Sequence, residues 1–117
     1  MSDCLFCAIV AGDIPADIVR RTDHTVAFRD IDPQAPTHVL VVPIEHAPDL
    51  AATSADLTAT GQLMADAVAV AEQEGLATEG GDRGYRLVLN TGIGAGQSVF
   101  HTHVHVLGGR QFAWPPG

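Results

Sequence analysis

The chain has 117 residues, 46% of them hydrophobic and 17% charged, which suits one compact soluble domain over 1–117 with a single core. Fourteen acids against six Lys and Arg give a formal net charge of −8. That balance argues against a nucleic-acid polymer as partner, which needs a basic face, but not against a single nucleotide, whose phosphate a few backbone N–H groups can hold.

No apolar run reaches the about 18 residues that a bilayer span needs, so no membrane partner is expected. The opening "MSDCLFCAIVAGD" carries an acid where a signal peptide carries positive charge, which points to the cytoplasm and to reduced Cys4 and Cys7. Leu5, Phe6 and Ile9 have helical spacing and predict a short helix over 3–10, ended by Gly12. Two short strands follow over 18–22 and 25–30, around a polar turn at Asp23–His24. "HVLVVP" (38–43) is a continuous β-branched run, the mark of a strand buried on both faces. One long helix is expected over 53–74, with Thr53 as cap, Asp56 three residues on, and Leu57, Met64, Val68 and Ala71 on its apolar face. "YRLVLN" (85–90) alternates as a strand, "TGIGAGQ" makes a glycine-rich loop, and 99–107 reads as the last strand before an extended tail with Trp114. The sum is an α+β domain: about five strands in a mainly antiparallel sheet, one long helix and one short one.

The last strand carries the chemistry. In "SVFHTHVHVLGG", His101, His103 and His105 alternate, so on a strand they share one face over about 13 Å. Three rings so spaced serve a common metal ion poorly, since bonds of about 2.1 Å reach two of them and leave the third too far away. They suit chemistry at phosphorus better. A neutral imidazole is a nucleophile near pH 7, and it needs an orienting acceptor for its N–H and donors for the phosphoryl oxygens. Neighbouring histidines and the glycine loop before them, with Gly94, Gly96 and the hydroxyl of Ser98, can supply those donors.

"HTHVHVL" resembles the His-φ-His-φ-His-φ-φ signature of the histidine triad superfamily, where φ is hydrophobic. The flanks "RDIDPQAPTHVLVVP", "LNTG", "GQSVFHTHVHVLGGR" and "WPPG" resemble its Hint branch along nearly the whole chain. Thr102 departs from the pattern, standing where a more apolar residue is usual. The resemblance implies a histidine triad fold and hydrolysis or transfer at purine nucleoside 5′-phosphoramidates, with no organic cofactor. It places the nucleophile at His103, held by the backbone carbonyl of His101, and forms a nucleotidyl-histidine intermediate. It further implies phosphate or leaving-group contacts from His105, Ser98, Asn90 and Gln97, with N–H groups of Gly96 and Val99. Asp30 would bind the ribose hydroxyls, Leu5, Phe6, Ile9, Phe28 and Ile31 would enclose the base, and His38 would support the site from behind. A two-fold homodimer through the long helix and "YRLVLN" follows from the same resemblance, with Trp114 reaching toward the partner's pocket.

"CLFC" is a Cys-x-x-Cys pair, and two thiolates need two further ligands to close a tetrahedral zinc site. A subset of triad proteins and the related galactose-phosphate uridylyltransferases carry such a pair. There, structural zinc is completed by a histidine in Pro-x-x-His and by the first histidine of the triad. The matching set is Cys4, Cys7, His46 of "PIEH" and His101. Besides the phosphoramidase, two readings stay open: a nucleotide-binding regulatory module with vestigial catalysis, and a zinc hydrolase using the histidines as an open metal site.

Overall fold

Cys4 opens the first helix, α1 (Leu5–Ala11), by accepting the Cys7 N–H on its sulfur, and Gly12 ends it in the left-handed conformation (φ 84°). The computed structural model describes residues 3–77 and 83–117; residues 1–2 and 78–82, which the single-domain reading also spans, lie outside the described residues. Five strands follow α1: β1 (Ile18–Arg21), β2 (Thr25–Arg29), β3 (Thr37–Pro43), β4 (Tyr85–Val88) and β5 (Val104–Gly108). They form one sheet in the order β1-β2-β3-β5-β4, and every neighbouring pair is antiparallel. The expected α+β architecture is therefore present.

Both faces of the sheet centre are covered, which is why β3 is apolar along its length. Ala27, Val39, Val41, Val104 and Val106 pack on one face beneath helix α3 (Leu57–Gln73). Val26, Phe28, Leu40 and Val42 pack on the other, beneath Phe6 and Ile9 of α1. His105 alternates out of the first set, and pairs with Leu40 on β3 and Val88 on β4, on the side of the sheet where α1 lies.

Three expectations need correction. The helix expected over 53–74 is two: α2 (Leu50–Thr53), capped by Asp49, and α3, capped by Asp56, whose carboxylate accepts the Ala59 N–H at 3.0 Å. Thr53 thus ends the first helix and caps neither, because two Asp residues offer the better cap geometry. The buried face of α3 is Leu63, Ala67, Val70 and Ala71, with Met64 beside it, while Leu57 is 83% exposed. Bulky side chains suggest a face rotated from the true one, on which the small Ala67 and Ala71 are buried beside Leu63 and Val70. Finally, regular pairing in the last strand begins only at Val104. The segment before it is held by other bonds: Thr102 N–H donates to Ala47 O at 2.8 Å, and its buried hydroxyl meets that of Thr53 at 2.7 Å. The departure from the triad pattern at Thr102 is therefore a satisfied polar pair.

Candidate active site

His103 sits just outside the ladder, and its Nδ1 donates to the carbonyl of His101 at 2.7 Å. That bond fixes the proton on Nδ1 and leaves the lone pair of Nε2 available. The edge of Phe6 holds the ring perpendicular at a centroid distance of 5.1 Å. His103 and His105 lie 4.9 Å apart, centroid to centroid.

The two rings line a cleft of about 380 Å³ together with Ser98, Val99, Asp30 and the apolar side chains Leu5, Phe6, Ile9, Phe28 and Ile31. Every one of these was singled out in the sequence. Ile14, Pro15, Ala16, Arg29 and Leu40 also line it, and no sequence motif marks them as lining. Three of them follow α1 in "DIPAD", where a Pro after a helix-ending glycine signals a chain segment folding back. Asn90, Gly96 and Gln97 are not part of the lining. Gly96 takes the left-handed conformation (φ 94°), and its N–H closes a turn on Ile93 O at 3.0 Å, so it shapes the loop rather than offering a spare donor. The buried amide of Gln97 donates to Pro48 O and Val99 O and accepts from Gly92 N–H, bracing the same loop.

Behind the cleft runs a hydrogen-bonded chain from Gln34 through His38 to His105. Gln34 N–H donates to Nδ1 of His38 at 3.0 Å, so the proton of that ring is on Nε2. Nε2 lies 2.9 Å from Nδ1 of His105 and 3.4 Å from a carboxylate oxygen of Asp30. His105 therefore accepts on Nδ1 and carries its own proton on Nε2. Burial pushes the His105 imidazole down to about 4, helped by the positive charge that His103 and His38 can carry, so it is neutral at pH 7. Burial lowers His38 as well, against the pull of Asp30 and Asp32. Asp30, His38 and His105 bring three ligand-type atoms within 4.8 Å of one another. A metal on Nε2 of His38 would require an imidazolate, because Nδ1 already accepts from Gln34. These residues fit a hydrogen-bonded chain and not an open metal site.

The second cluster has the opposite chemistry. Nε2 of His101 lies 2.8 Å from Pro43 O, to which it donates, so the lone pair of Nδ1 points elsewhere. It faces Cys4 Sγ at 3.3 Å, Cys7 Sγ at 3.5 Å and Nδ1 of His46 at 3.1 Å, with Cys7 Sγ 3.5 Å from His46 Nδ1. All four donor atoms lie within 4.8 Å of one another. These separations are close to the about 3.3–3.8 Å edges of a tetrahedron with zinc–nitrogen and zinc–sulfur bonds of about 2.0–2.3 Å, so the set can hold zinc. Burial lowers His101, which favours the unprotonated ring a metal requires.

Fold and site together define an antiparallel-sheet protein with a histidine cluster at the end of a central strand, opening on an apolar cleft. The HIT domain model matches residues 11–112, and the chain belongs to the HIT family. Purine nucleoside phosphoramidase of Escherichia coli is 45% identical over 109 residues, covering 92% of this chain and 88% of that protein. A 14 kDa zinc-binding protein of Zea mays is 44% identical over 119 residues, covering 99% and 89%. The crystal structure of a HIT family hydrolase from Legionella pneumophila superposes with a TM-score of 0.90 at 45% identity, covering 98% of this chain and all of that one.

Proposed function

We propose that the chain is a nucleoside phosphoramidase that cleaves purine nucleoside 5′-phosphoramidates through a nucleotidyl-His103 intermediate. The observation that carries this reading is the bond from His103 Nδ1 to His101 O, which leaves Nε2 as the one basic nitrogen of a ring lining the cleft. Nε2 attacks the α-phosphorus and forms a P–N bond, while the P–N bond to the leaving amine breaks and the amine departs with a proton. That proton comes from solvent through the Ser98 hydroxyl, and the Nε2–H of His105 donates to a phosphoryl oxygen, assisted by the N–H of Val99. Asn90 contacts the phosphate or the leaving amine, and Gly96 and Gln97 keep the loop before Ser98 in shape. Water then breaks the His103–phosphorus bond to release the nucleotide. Asp30 takes the ribose hydroxyls, and Leu5, Phe6, Ile9, Phe28 and Ile31 enclose the base.

Zinc on Cys4, Cys7, His46 and His101 supplies, when bound, a closed structural cross-link between α1 and the segment before β5. The likeness to the maize zinc-binding protein supports that assignment. A homodimer is supported by β4, whose outer edge has no partner strand among the described residues, and by Val68 of α3, 38% exposed. The cytoplasm is the proposed compartment; no helix among the described residues is long and apolar enough to cross a membrane.

Incubation with adenosine 5′-phosphoramidate tests the reading. Wild type releases AMP and ammonia, and His103→Ala loses on the order of 10⁴-fold or more of that rate. Undiminished turnover in His103→Ala sinks the nucleophile, and tight AMP binding without turnover in wild type favours the regulatory module.

A further inference from the structure

Cys4 and Cys7 stand three positions apart on one turn of chain, and the sulfur of Cys4 accepts the backbone N–H of Cys7 at 3.4 Å. That spacing puts their Cα atoms about 5–6 Å apart, a separation that a disulfide bridges without backbone movement. The two sulfurs lie within 4.8 Å of each other and of the ring nitrogens of His46 and His101. Both cysteines are half-buried and His46 is exposed, so the Cys7–His46 side of the cluster meets solvent, whereas His101 is buried. The buried end leads to the cleft. His101 offers its carbonyl to His103, and Phe6, next to Cys7 on α1, makes T-shaped contacts with the rings of both histidines. A solvent-facing dithiol is thereby joined to the helix that carries Leu5, Phe6 and Ile9 into the cleft wall.

From this placement we propose that Cys4 and Cys7 are a site of reversible oxidative modification: hydrogen peroxide converts the pair into a local disulfide, which empties the metal site and loosens α1 against the segment that bears His103. The inference rests on the zinc assignment and not on the phosphoramidase reading. The Cys7 thiolate attacks one oxygen of the peroxide and the O–O bond breaks. That oxygen stays on sulfur as a sulfenic acid, and the other leaves as hydroxide, which solvent protonates to water. The Cys4 thiolate then attacks the Cys7 sulfur, forming the S–S bond while a second hydroxide departs and is protonated. Two electrons have passed from the two sulfurs to the peroxide, with two waters as product. His46 and His101 remain as two neutral ligands, too few to close a tetrahedral site, and the ion is lost to solvent. Because the resolving sulfur is on the same turn, the disulfide forms ahead of further oxidation to a sulfinic acid. A dithiol reductant reverses the change, as suits a disulfide formed in a reducing compartment.

The test treats wild type, reconstituted with zinc, with hydrogen peroxide in the presence of a chromogenic zinc indicator. About one zinc per chain should be released. The peptide holding both cysteines should become about 2 Da lighter and resist alkylation, and dithiothreitol with added zinc should restore it. Amide hydrogen exchange over 4–11 and 99–103 should speed up about 10-fold or more on oxidation. In the Cys4→Ala, Cys7→Ala variant, peroxide should leave that exchange unchanged.

Zinc release with both thiols still open to alkylation, with sulfinic acids, or with disulfides between chains overturns the proposal. So does exchange that is unmoved by oxidation in wild type, or that responds equally to peroxide in the double variant. Zinc uptake with no release by peroxide removes the proposal and leaves the zinc assignment standing. Failure of wild type to take up zinc removes both.

Discussion

Replacing Thr102 with valine makes the segment match the hydrophobic pattern of its family signature, and it should nevertheless weaken the protein. Thr102 is 2% exposed and Thr53 6%, and their hydroxyls meet at 2.7 Å. Valine fills the same volume, so no cavity opens; the change strips a buried hydroxyl of its partner. Ala47 O loses a 3.2 Å bond from the Thr102 hydroxyl but keeps the 2.8 Å bond from its N–H, so the loss centres on Thr53. An unsatisfied buried hydroxyl costs about 1–3 kcal/mol. For a domain of this size that lowers Tm by roughly 4–12 °C. Urea unfolding followed by circular dichroism, with zinc loading held constant, reads the difference. Replacing both residues by valine removes donor and acceptor together and should recover most of the loss, with a coupling energy of about 1 kcal/mol or more. A Thr102→Val protein as stable as wild type would refute the assignment of this pair as a structural bond.

Other perturbations probe separate parts of the molecule. A Cβ on Gly108 would stand 2.5 Å from Cδ1 of the core residue Leu76, so Gly108→Ala should cost about 1–3 kcal/mol in urea unfolding, and pairing it with Leu76→Ala should relieve the clash term. Purified wild type should carry about one equivalent of zinc, and the Cys4→Ala, Cys7→Ala double variant should carry none and show a lower Tm; equal zinc in both would remove the four-ligand assignment. His105 protonates near 6.5 when unfolded and near 4 in the fold, so the unfolded chain binds more protons between those values. Stability, complete above pH 6.5, should therefore fall as pH drops toward 4, with His38 and His101 acting in the same direction. His105→Asn should flatten that slope in denaturant titrations at pH 7, 5.5 and 4.5, and an unchanged slope would contradict the assignment.

The parts of this fold legible in the sequence are those where one local pattern has one structural solution. The run 38–43 could only be a covered strand, and the alternation of Val104 and Val106 with His105 sets which side faces α3. The face of α3 is hard to read because the small Ala67 is buried on it while the bulky Leu57 is exposed, and size alone does not reveal that. Alternation also overstated the last strand: His101 and His103 owe their positions to Pro43 O, Ala47 O and the loop braced by Gln97, contacts that arise only in three dimensions. Cys4 and His101 stand 97 positions apart, and no periodicity connects them; family likeness proposed their meeting, and the sheet brings it about. Gln34 is illegible in the sequence for a different reason. It acts through its backbone N–H, a group every residue but proline possesses, so its hold on His38 leaves no trace in the side-chain sequence.

The central claim is covalent, and so is its most direct measurement. Wild-type protein is mixed with adenosine 5′-phosphoramidate, quenched within the first turnovers in alkali, where phosphorus–nitrogen bonds to histidine survive, and mapped by peptide mass spectrometry. The predicted result is an adenylyl group on His103 that forms and decays at rates consistent with turnover. Turnover with no adduct, or an adduct on another residue, would contradict it.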